Sequence, residues 1–236
     1  MYFSPALLKA NAAQLIRQSK PRAVNVAGIY LLISFVMSEL SARILGVNMS
    51  ITKLQQYMNH IESGNIDNAL KLLSTMMPTP MGNVLSLLLD IALTVVFAGF
   101  NIYLLNLLRG KSPCYGNILD GFGIWYKVIL LSVLKTLFIG LWSLLLFIPG
   151  IIASFAYSMA LYILLDNPDK TVMQCLRESK EMMRGHKKEF FILQLSFIGW
   201  YLLASFGYVG YVTQLWSLPL MNLSFIMFYE NLRLNT

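Results

Sequence analysis

The chain has 236 residues, of which 57% are hydrophobic and only 12% charged, and its formal net charge is +7. Soluble domains carry about 25% charged residues, so this composition excludes an ordinary globular enzyme or a nucleic-acid-binding domain. The cations fall between apolar runs, where they set topology and meet anionic lipid, so no nucleic-acid partner is expected.

Residues 1–22 read as an N-terminal amphipathic cytoplasmic helix. Ser4 is placed to cap it, Pro5 suits its first turn and Pro21 stops it. Leu7, Leu8, Leu15 and Ile16 supply apolar surface, and Lys9, Arg17, Lys20 and Arg22 supply charge. Such a helix lies on a membrane surface or docks a partner.

Residues 23–232 read as a membrane domain. Apolar runs at 23–46, 81–108, 124–147, 149–165, 190–208 and 211–228 each carry at most two charged side chains. A helix rises 1.5 Å per residue, so about 20 apolar residues cross a hydrocarbon core of about 30 Å. The expected fold is therefore all-α: an integral membrane bundle of six transmembrane helices with short amphipathic interfacial helices. The N-terminal segment, the second and fourth loops and the C-terminus hold thirteen Lys and Arg, while the long first loop holds only Lys53 and Lys71. That asymmetry places both termini in the cytoplasm.

The outer helical loop 47–80 contains two amphipathic patterns. Ser50 can cap the first, which Gly64 ends, and Asn65 can cap the second, which Pro78-Thr79-Pro80 ends. They form either a lid over a central cavity or a surface hairpin. The third and fourth runs are joined at Phe147-Ile148-Pro149-Gly150, read as a tight turn at the outer surface.

A cytoplasmic amphipathic helix is expected over 167–187, capped by Asp166 or Asn167 and stopped by Gly185. At 100° per residue Val172, Leu176, Ser179 and Met183 share one face, with Cys175 and Met182 beside it. Arg184, His186 and Lys187 follow, and are candidates for binding anionic headgroups or another phosphate group. The rival reading is an interfacial anchor without a specific ligand. Asp166 and Lys127 sit at run ends and read as snorkelling or capping residues, and Tyr229 as a belt aromatic.

Several strings occur together in order: Ile148-Pro149-Gly150-Ile151-Ile152, Ala156-Tyr157-Ser158-Met159-Ala160, Asp166-Asn167-Pro168, Glu178-Ser179-Lys180, Arg184-Gly185-His186-Lys187, Ser196-Phe197-Ile198-Gly199-Trp200 and Phe228-Tyr229-Glu230. Over residues 115–232 this resembles the bacterial multi-pass membrane family called domain of unknown function 975. The resemblance implies a bacterial inner-membrane protein and carries no established activity.

Charges inside the runs are the remaining functional clue, because each costs at least about 2.5–3.5 kcal/mol at a helix centre unless paired or hydrated. Glu39 and Arg43 are four residues apart, while Asp90 and Lys135 both fall near mid-depth. These four are the candidate intramembrane polar site. They suit a small transport- or channel-like unit. The alternative is a structural or accessory protein that docks lipids or partners through its amphipathic segments. Anionic lipid at the cytoplasmic face is the expected partner, with a second copy or another membrane protein also open. No catalytic residue, metal ligand or cofactor is expected, since no nucleophile–base set is visible and His60 and His186 fall on opposite sides.

Overall fold

The computed structural model describes residues 4–45, 51–76 and 79–235, all in helices and their connections, with no strand among them. In chain order the helices are α1 (Pro5–Gln18), α2 (Ala23–Ile44), α3 (Ile51–Glu62), α4 (Ile66–Met76), α5 (Pro80–Leu108), α6 (Asn117–Asp120), α7 (Trp125–Leu145), α8 (Phe147–Ala156), α9 (Ala160–Asp166), α10 (Val172–Met182), α11 (Lys187–Leu195), α12 (Ile198–Ala204) and α13 (Gly207–Asn235). A 3₁₀ turn, Gly121–Ile124, leads into α7. Among the described residues four stretches are long and apolar enough to cross a membrane: Ala23–Ile44, Pro80–Leu108, Asn117–Leu144 and Ile148–Asp166.

The other two expected crossings look different. Residues 190–208 are divided between α11 and α12, which are separated at Ser196-Phe197, and the last two already belong to α13. Residues 211–228 lie within α13, whose 29 residues extend about 43 Å and continue through Pro219. The α13 hydropathy is diluted by Ser217, Asn222 and Ser224, which are buried. Asn222 and Ser224 donate to the carbonyls of Leu218 and Leu220, at 2.9 and 2.7 Å, so their polar atoms are satisfied on their own helix.

The chain divides into two compact units, Leu32–Leu93 and a larger one made of Met1–Leu31 with Thr94–Thr236. Within the smaller unit α3 and α4 pack together as a hairpin. Asn65 caps α4 weakly, accepting from the Asn68 amide at 3.4 Å. Ser50, the expected cap of the first pattern, and Pro78, from the string expected to end the second, lie outside the described residues. Leu54, Met58, Ile61, Ile66 and Leu70 remain exposed on this hairpin.

In the larger unit α1 packs along α13, burying Leu8 and Ala12. Ser4 occupies the cap position of α1 but makes no side-chain capping bond, leaving Pro5 as the start signal. A cluster of Phe155, Phe190, Phe197, Phe225 and Phe228, with neighbouring ring centroids 5.2–6.2 Å apart, ties α8 and α11 to α13.

The connection between α7 and α8 is tighter than the sequence suggests. Leu146 alone is extended, and Pro149 and Gly150 lie in the first turn of α8 rather than in a loop. Proline is tolerated there because the first-turn amides have no intrahelical partner. Gly150 is required by proximity: a Cβ would stand 2.0 Å from the Ser143 hydroxyl and 3.0 Å from its Cα.

Candidate functional site

Three helices of the larger unit end at one polar node. Arg109 follows α5, Asp166 ends α9, and Tyr229, Glu230 and Arg233 lie in the last turns of α13. The Arg109 guanidinium donates to both Asp166 oxygens, one of them at 2.8 Å, and to Glu230 Oε2 at 2.8 Å. The Tyr229 hydroxyl donates to Asp166 Oδ2 at 2.8 Å. Arg233 reaches Glu230 at 2.5 Å and approaches Asp166 at 3.7 Å. The Asp166 side chain is only 4% exposed. Hydrogen bonding to Asp166 holds the Arg109 guanidinium above its ordinary pKa, against the lowering that burial imposes.

This node corrects two sequence expectations and adds two residues. Asp166 ends a helix and gathers two cations, rather than capping the helix that follows. Tyr229 is buried against Tyr162, at 5.7 Å between centroids, rather than standing in an interfacial belt. Arg109 and Glu230 carried no functional reading at all. A signal was available: all three charges occupy the same-side ends of apolar runs, where opposite signs close a bundle.

The helix expected over 167–187 is observed as Val172–Met182, because Thr171 caps it. Thr171 and Gln174 form a reciprocal capping box, with bonds of 2.8 and 3.3 Å. Gly185 stops the segment, with φ of +89° in the left-handed region. The expected face is correct: Val172, Cys175, Leu176, Ser179 and Met183 are buried. Protein rather than lipid covers it, since α10 packs on α9, α7 and α8.

Ser179 explains why α10 docks there. The stretch Ile148–Asp166 is interrupted between α8 and α9, which releases backbone groups from the helical ladder. The Ser179 hydroxyl donates to the Ala156 carbonyl at 2.8 Å and accepts from the Met159 amide at 3.1 Å. One side chain from α10 thereby satisfies both sides of the interruption. Lys127 reinforces the arrangement by donating from α7 to the carbonyls of Pro168 and Lys170.

Beside this junction runs a cleft of about 340 Å³, with Trp142, Pro149, Ile152 and Tyr157 along its wall and Lys180 and Lys187 bordering it. Neither lysine has a carboxylate partner among the described residues. Of the three proposed phosphate-binding residues, Lys187 alone lines this cleft. Arg184 is exposed in the turn after α10, and His186 Nδ1 is 2.8 Å from Glu189 Oε2. Lys180, which the sequence reading passed over, takes the second position.

The four charges expected inside the membrane are not gathered into one described site. Glu39, Arg43 and Asp90 lie in the smaller unit with exposed side chains, and no ion pair joins Glu39 to Arg43 among the described residues. Lys135 is half-buried in α7, within the larger unit. No group of three or more His, Cys, Asp or Glu capable of holding a metal occurs among the described residues.

Residues 144–236 match the family model described as protein of unknown function (DUF975). The DUF975 match covers the interrupted stretch, Ser179, both cleft lysines and the α13 half of the polar node. It leaves Arg109 and the smaller unit outside. No curated protein and no solved structure matches the chain. The family is uncharacterised, so function rests on the geometry above.

Proposed function

We propose that this chain is a non-enzymatic bacterial inner-membrane protein that holds anionic lipid headgroups in the cleft bordered by Lys180 and Lys187. In this reading both termini are cytoplasmic, and α11 with α12, then α13, supply the fifth and sixth crossings. The carrying observation is two lysines without carboxylate partners, among the described residues, at the edge of an aromatic and aliphatic cleft. A phosphate would neutralise the ammonium groups while an acyl chain follows Ile152 and Trp142. Juxtamembrane cations contribute about 1 kcal/mol each on anionic lipid.

The test uses the full chain in nanodiscs of phosphatidylcholine, with and without phosphatidylglycerol. Lys180→Gln with Lys187→Gln is expected to cut the phosphatidylglycerol-dependent gain in Tm by about 5 °C. High salt shrinks the same gain. An unchanged gain in the double variant removes the cleft as a lipid site.

A small transport- or channel-like unit is the second reading, and Lys135 favours it. This lysine sits within an apolar helix and has no carboxylate partner in its own unit among the described residues. An ionised lysine at that position calls for water or a counter-charge. If Lys135 borders a solute path, Lys135→Gln abolishes flux in proteoliposomes while leaving the melting profile intact. Wild-type flux in Lys135→Gln counts against the path.

A further inference from the structure

A second cleft, distinct from the lysine cleft, opens where α1, the start of α2, α12 and α13 converge. Its volume is about 490 Å³, and Ile16, Arg17, Arg22, Trp200, Trp216 and Leu220 line it. The two arginines come from opposite sides of the α1–α2 junction, and the two tryptophans from two further helices. Neither arginine has a carboxylate partner among the described residues.

The junction that presents the arginines is held from several directions. Lys9 donates to the Ser196 carbonyl at 2.7 Å and lies 4.5 Å from the Phe197 ring centroid. The Tyr103 hydroxyl of α5 donates to the Pro21 carbonyl at 2.6 Å. Buried Ser19 donates to the Ile16 carbonyl at 2.7 Å and accepts from the Ala23 amide at 2.8 Å, closing the turn between the two arginines. Arg17 and Arg22 are thus mounted on a fixed support, although both residues remain exposed.

We propose that this cleft binds one anionic phospholipid, its phosphate held by Arg17 and Arg22 and its acyl region laid against Trp200, Trp216 and Leu220. Arginine suits the headgroup because its planar fork can donate two parallel hydrogen bonds to phosphate. Tryptophan suits the adjoining level because its indole is apolar across its face and polar at one edge. A free phosphate ion would use the arginines and leave the indole wall without a role. The occupant is therefore a lipid, in a chain with four stretches long and apolar enough to cross a bilayer. The position of Arg17 in the last turn of α1 already favours a cation through the helix dipole. That effect does not account for Arg22, nor for the tryptophans opposite.

The chain contains four tryptophans, so Trp125→Phe with Trp142→Phe leaves Trp200 and Trp216 as the fluorophores. Full-length protein carrying that pair of changes is placed in phosphatidylcholine nanodiscs. A minor fraction of the lipid is brominated, as either phosphatidylglycerol or phosphatidylcholine. Brominated phosphatidylglycerol is expected to quench with roughly tenfold higher apparent affinity than brominated phosphatidylcholine. Arg17→Gln with Arg22→Gln removes that preference, Arg17→Lys with Arg22→Lys retains part of it, and Lys180→Gln with Lys187→Gln leaves it whole. Equal quenching by the two lipids overturns the proposal. So does a preference that survives the glutamine pair, or one that all charge variants retain. A preference lost in phosphate buffer but kept in chloride of equal ionic strength assigns the arginines to the free anion and overturns the lipid. Loss with the lysine pair alone would return the signal to the other cleft. If the glutamine pair does not fold, the lysine pair at positions 17 and 22 decides, since an undiminished preference there excludes the arginine fork.

Discussion

The polar node and the lysine cleft belong to the same unit, the first built on the ends of α5, α9 and α13 and the second on α7, α8, α10 and the start of α11, yet they treat charge in opposite ways. At the node Asp166 and Glu230 meet Arg109 and Arg233, and a tyrosine hydroxyl takes up further acceptor capacity. In the cleft Lys180 and Lys187 face apolar surface with no counter-charge among the described residues. Where every charge is answered internally, the arrangement is explained by holding helices together. Where cations are left open beside hydrocarbon-like walls, the anion proposed for them comes from outside. The difference separates architecture from recognition more sharply than the density of charge does.

The largest expected effect falls on the node. Arg109→Ala leaves Asp166 nearly buried without its main partner, and breaking such a pair costs about 3–5 kcal/mol. For a chain of this size that corresponds to a Tm lowered by about 10 °C, in neutral and anionic lipid alike. A loss seen only in anionic lipid would make the node a recognition site and dissolve the contrast. Ser179→Ala comes next, at about 2 kcal/mol, because it leaves the Ala156 carbonyl and the Met159 amide without their partner. Ser179→Cys, which keeps a weaker donor and acceptor, should lose less, and thermal melts of the two variants check the order. Smallest is the effect of Lys180→Gln with Lys187→Gln on the lipid-free protein in detergent, within about 0.5 kcal/mol of wild type. A large loss there would mean the lysines also hold the fold.

Much of the helical framework was legible in the sequence because its signals are local. Hydropathy found the four long apolar stretches, and the 3.6-residue period found Val172, Leu176, Ser179 and Met183 as one face. The two glycine stops, Gly64 and Gly185, adopt φ of +71° and +89° as helix terminators commonly do. What covers a helix face is a different kind of information. Periodicity states which side chains point together and says nothing of whether lipid or protein meets them, so α10 was read as a surface element. Hydropathy is equally blind to a backbone interruption, and residues 190–208 read as one span although Ser196-Phe197 divides them.

Within the candidate sites the same limit explains each miss. Asp166 stands before Asn167-Pro168, which is strong helix-start grammar, and that local signal masked a pairing with a residue 57 positions away. Lys180 stands beside the denser run Arg184-Gly185-His186-Lys187, and charge density alone favours that run. His186 nevertheless lies against Glu189 while Lys180 turns to the cleft.

The Ser179 bridge has a consequence for how the protein is made. Ser179 lies 20 residues after Met159. At about 5–20 residues per second, synthesis delivers it about one to four seconds after the interrupted stretch has left the ribosome's catalytic centre. During that interval the interruption carries an open carbonyl at Ala156 and an open amide at Met159, which must borrow water. A stretch long and apolar enough to cross a membrane is therefore finished by a later, amphipathic piece of the polypeptide, and translation timing becomes part of its assembly.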